Sequence, residues 1–90
     1  MKKSDMMAAI ESKRQTTEYS IWRIGLTNDL IERKVYWRDT EKESVDHWKD
    51  WQADSLSDAQ DIESHFINKG MKGGVGGDLS DRKTVYVYMF

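Results

Sequence analysis

The chain contains no cysteine, and that absence constrains its fold more than any residue that is present. Disulfides and thiolate metal sites are excluded, so the structure must be held by packing. Its 90 residues bury one modest core with little stability to spare, and a single domain spanning 1–90 is expected. Aromatic residues supply much of the buriable area, with four Trp and four Tyr. At 38% apolar and 33% charged residues, the composition is that of a hydrophilic globular domain rather than a disordered chain. No stretch approaches the ~20 apolar residues of a membrane span, and Met1–Ala9 lacks a secretory pattern. A reducing cytoplasm is the expected compartment, with no membrane as partner.

Charge is unevenly distributed. Residues 1–38 carry eight Lys/Arg against five Asp/Glu, residues 39–61 two against eight, and residues 62–90 four against three. Only the first third offers the basic surface a nucleic acid needs. The acidic segment 39–61 repels phosphate; it is either a solvated face or a surface for a basic protein partner.

Ser4 and Asp5 read as caps of a first helix that ends near Lys13-Arg14. Glu18–Gly25 reads as a strand, Tyr19, Ile21 and Arg23 alternating with Ser20, Trp22 and Ile24, with Gly25 ending it. Thr27, Asn28 and Asp29 are three candidate caps for a helix over Asp29–Trp37. A polar loop follows, and Val45–Ala53, with Trp48 and Trp51, predicts a short strand. Ser57 with Gln60 has the spacing of a capping box, and Ala59, Ile62, Phe66 and Ile67 fall on one face of the helix it would open. Gly70 stands at its C′ position. Met71–Gly77 is a glycine-rich connector, and Thr84–Phe90 alternates as a strand with Val85, Val87 and Met89 on one side and Tyr86 and Tyr88 on the other. The prediction is an α+β domain: a small sheet of about three strands with helices packed on it, in the order α-β-α-β-α-β.

Three groups of residues bear on chemistry. Glu63 lies between Ala59 and Ile67 on the apolar face of the third helix. A carboxylate there is costly unless paired or metal-bound, so it is either a stripe-edge residue reaching solvent or a metal ligand or acid/base group. Arg33, beside Lys34, is either solvated surface or a phosphate contact, because guanidinium matches phosphate geometry. The glycines after Gly70, with Lys72, could cradle an anion, but the loop follows a helix and matches no nucleotide fingerprint. His47 and His65 lack metal-ligand spacing. Trp48 and Trp51 are core residues or base-stacking platforms.

The segment Ile21-Trp22-Arg23-Ile24-Gly25-Leu26-Thr27-Asn28-Asp29-Leu30-Ile31-Glu32-Arg33 resembles the second strand and first helix of GIY-YIG endonucleases. Ser55-Leu56-Ser57-Asp58-Ala59-Gln60-Asp61-Ile62-Glu63 is similar to the family's later segment, which leads into a helix bearing a metal-binding Glu. The resemblance implies a nucleic-acid-processing or nucleic-acid-associated domain, with its catalytic site intact or degraded. It implies phosphodiester hydrolysis with a divalent metal, Mg²⁺ or Mn²⁺, held by Glu63, and with Arg33 stabilising phosphate charge. Arg23 stands where the family has a motif Tyr, and Trp37 where it often has His. The family's opening strand is missing before Ile21; Thr84–Tyr88 has the character to replace it beside Glu18–Gly25, which would return Tyr88, or Tyr86, to the site as the residue that helps activate water. The other reading is a non-catalytic protein-interaction module that presents the acidic segment 39–61.

Overall fold

Valines and tyrosines at the C-terminus form the middle of the sheet. In the computed structural model, which describes residues 1–74 and 79–90, β4 (Tyr86–Met89) lies between β1 (Arg23–Thr27) and β2 (Lys49–Gln52). It is antiparallel to both, with Ile24 opposite Met89, Gly25 opposite Tyr88 and Leu26 opposite Val87. The pairing expected between the C-terminal strand and the strand after residue 18 is therefore present. A two-residue strand, β3 (Lys72–Gly73), runs parallel to β1, giving the order β2-β4-β1-β3. Among the described residues the fold is α+β, with three α-helices on a four-stranded mixed sheet. The helices are α1 (Lys3–Arg14), α2 (Leu30–Val35) and α3 (Leu56–Lys69).

One face of the sheet carries the core. Ile24, Leu26, Val87 and Met89 pack against Met6 and Ile10 of α1 and Ala59, Ile62 and Phe66 of α3. The other face presents Tyr88, over which Trp48 stacks with ring centroids 4.6 Å apart and planes 5° apart. Trp37 donates its indole N–H to the Tyr88 hydroxyl at 2.9 Å. So Trp37, which is buried, and the partly buried Trp48 cover the second face.

The structure corrects four sequence expectations. Glu18–Trp22 is not strand: Tyr19–Ile21 is a 3-10 turn, because Tyr19 is tied to α1 by its hydroxyl, which donates to Glu11 at 2.8 Å, and by the Arg14 guanidinium over its ring. Gly25 does not end the strand but sits inside it, where a Cβ would overlap the Tyr88 phenol oxygen and Cζ. The cap of α3 is Ser55, not Ser57; its backbone is extended and its hydroxyl accepts from the Asp58 N–H at 3.0 Å, two residues earlier than the predicted box. The first helix begins at Lys3, with no side-chain cap, so Ser4 and Asp5 lie within it.

Other expectations hold with adjusted bounds. Asp29 caps α2, accepting from the Glu32 N–H at 3.0 Å. The helix then widens into a π-type turn over Tyr36–Thr40, which carries Trp37 into the sheet. Gly70 ends α3 at φ 120°, a conformation that favours glycine. Residues 71–74 of the predicted glycine-rich connector include β3; its residues 75–77 lie outside the described residues. No described helix is long and apolar enough to cross a membrane.

Candidate functional site

Residues of α2 and α3 line one cleft together with residues of β1 and β3. The cleft has a volume of about 500 Å³. From α2 come Glu32 and Arg33, with the cap Asp29; from α3 come Gln60, Glu63 and Ile67; Gly73 and Gly74 close one side and Lys83 another. Arg33 and Glu63, 30 residues apart in sequence, therefore line the same cavity. Ile67, expected in the core, is 40% exposed because it forms the wall of this cleft.

The electrostatics are unusual. Arg33 and Lys83 share the cleft with Asp29, Glu32 and Glu63, yet Glu63 makes no ion pair among the described residues. Burial pushes its carboxyl above the ordinary carboxylate range. Arg33 has a buried Nε with no hydrogen-bond partner among the described residues, and its guanidinium carbon lies 5.1 Å from the Tyr36 ring centroid. An orphaned buried donor is uncommon and costs stability.

Tyr88 lies one layer deeper. It is fully buried, and its hydroxyl accepts from Trp37. A Cβ placed on Gly74 would stand 2.9 Å from that hydroxyl, so the oxygen sits directly beneath a residue of the cleft. Burial pushes the phenol up; the Trp37 hydrogen bond and the charge of Arg33 pull the other way, and Glu63 adds to the rise. The phenol is thus held neutral. Arg33 and Glu63 meet on the cleft, while Tyr88 underlies it without being one of its lining residues. Tyr86 is on the same face of β4, one pleat away, opposite Thr27 and Gln52.

Several lining residues were not legible beforehand. Asn28, a candidate cap, instead clamps the approach to β4: its amide donates to Ser80 O at 3.1 Å and Thr84 O at 3.0 Å and accepts from Ser80 N–H at 2.8 Å. That clamp holds the segment that brings Lys83 to the cleft, and nothing in the local sequence around Lys83 signals it. Lys72 is not in the cleft; it belongs to a second pocket. A metal is tested by the donors present. Among the described residues no group of three or more His, Cys, Asp or Glu is gathered. A cation here would rest on Glu63, with water and substrate phosphate completing its shell, a common mode for Mg²⁺. The half-buried, unpaired carboxylate fits that mode.

The acidic segment is partly consumed internally. Asp54 receives the Met1 amino group at 2.6 Å, Asp61 pairs with Lys3 at 3.1 Å, Asp39 with Arg38 at 2.8 Å, and Asp50 accepts from the Trp48 indole at 2.8 Å. No family model matches the chain, and no match was found among curated proteins or solved structures.

Proposed function

We propose that the cleft between α2 and α3 holds a phosphodiester of a nucleic acid beside a divalent cation, and that its chemistry is hydrolysis of that phosphodiester. One observation carries the reading: Arg33 and Glu63 share a cavity and bear opposite charge, and among the described residues neither makes an ion pair. Opposite charges that do not neutralise each other suit a ligand carrying both signs, and a metal-associated phosphate is such a ligand. The likeness of residues 21–33 and 55–63 to GIY-YIG endonucleases supports the same assignment.

In this reading Glu63 holds Mg²⁺ or Mn²⁺, which when bound supplies positive charge at the phosphate oxygens. Arg33 grips the non-bridging oxygens, with Nε and the terminal nitrogens as donors in the planar fork suited to phosphate. Lys83 adds a second cation. Tyr88, fixed by Trp37 and kept neutral, positions the floor at Gly25 and Gly74. Hydrolysis joins a water oxygen to phosphorus and breaks one P–O bond to a ribose oxygen. One water proton goes to the departing alkoxide, and the other leaves the new monoester for solvent.

Incubation with DNA and RNA in Mg²⁺ or Mn²⁺ is expected to yield cleavage. Glu63→Gln should abolish it without changing the unfolding curve. Binding without cleavage by the wild type would reduce the reading to a nucleic-acid-associated domain with a degraded site. Wild type that neither cuts nor binds would contradict it, leaving the acidic segment 39–61 as the surface to test for a protein partner.

A further inference from the structure

A second pocket, of about 270 Å³, opens beside the start of β1. Ile21, Trp22, His47 and Phe90 line it together with the cations Arg23 and Lys72, and the Phe90 ring is itself backed by Trp48, 5.4 Å away between centroids. The two cavities are contiguous along the chain: Lys72 lines this pocket, and the next residue, Gly73, lines the cleft. Arg23 joins them, since its guanidinium donates to the Gly73 carbonyl and lies 4.4 Å from the Trp37 ring centroid. The Trp22 indole is oriented by its N–H, which donates to Thr17 Oγ1 at 2.8 Å. Glu43 and Ser44 add hydrogen-bonding groups to the pocket.

We propose that this pocket receives an unpaired nucleobase of the strand whose phosphate occupies the cleft, so that the protein takes single-stranded nucleic acid in preference to duplex; this rests on the phosphodiester reading of the cleft. Aromatic lining residues with cations beside them and a phosphate site form the pairing of features that single strands use: base faces stack on rings while the backbone follows positive charge. A paired base in a duplex keeps its faces covered by its neighbours and cannot enter. Arg23 and Lys72 are placed to meet the phosphate between the two cavities.

The test is binding of an oligonucleotide carrying 2-aminopurine, compared as a single strand and as a blunt duplex of the same sequence, with Ca²⁺ in place of Mg²⁺ so that the cleft holds a divalent cation while binding is read separately from cleavage. The single strand should bind about tenfold or more tightly, with the probe's fluorescence quenched at one position. His47→Ala alters an exposed side chain of the pocket; it should weaken single-strand binding and leave duplex binding unchanged, whereas Arg33→Ala should weaken both. Equal affinity for the two forms, with loss confined to Arg33→Ala, would overturn the base pocket and keep the cleft. Failure of the wild type to bind either form would overturn the cleft reading and the pocket with it.

Discussion

Gly25 has no room for a side chain. It lies opposite Tyr88 in the register of β1 and β4, and the phenol occupies the volume a Cβ would need. Tyr88 cannot swing aside, because Trp48 is stacked on it and Trp37 holds its hydroxyl. Gly25→Ala should therefore cost about 1–3 kcal/mol, the range for overpacking a filled core. Urea unfolding measures that directly. An unchanged midpoint would mean that Tyr88 is less firmly fixed than these contacts imply. The sequence does place a glycine here, but read alone it signals the end of a strand. Only the cross-strand tyrosine, 63 positions away, explains why it stands inside one.

At the scale of elements, α3 is the part of the chain most fully legible beforehand. Ala59, Ile62 and Phe66 fall at helical spacing and all three are fully buried. Phe66 meets Tyr19 at 6.4 Å between ring centroids and packs in the core with Met6, Ile10 and Ile24. Phe66→Ala should cost about 3–5 kcal/mol, a large part of the stability of a domain this small. A thermal midpoint that barely moves would show that the apolar stripe does not carry the packing. The less legible elements have physical reasons. The 3-10 turn at Tyr19–Ile21 is imposed by contacts to Glu11 and Arg14 on a different element, against local β-propensity. β3 consists of a lysine and a glycine, residues with no strand preference, and exists because Lys72 N–H finds the Trp22 carbonyl at 2.9 Å. The π-type turn after α2 follows no apolar periodicity that the segment displays.

For the whole molecule, the arrangement of the sheet gathers the site. Placing β4 between β1 and β2 sets Tyr88 beneath Gly25 and Gly74, and the cleft beside them collects Arg33, Glu63 and Lys83 from three separate parts of the chain. Glu63 was legible as a candidate because a carboxylate in an apolar stripe invites chemistry, and Arg33 only through the resemblance of residues 21–33 to GIY-YIG endonucleases. Their convergence was not, since it depends on the tertiary placement of two helices whose site residues stand 30 positions apart in the chain. Lys83, by contrast, depends on the Asn28 clamp across 52 and 56 positions. The central claim is that the cleft is where metal and phosphate meet, and Mn²⁺ added to the protein with a short single-stranded oligonucleotide tests it most directly. Paramagnetic broadening in the amide NMR spectrum is predicted to be strongest in 60–67 and at Gly73 and Gly74, and to vanish in Glu63→Gln. Broadening centred on the acidic segment 39–58 instead, or equal in the two proteins, would contradict the account.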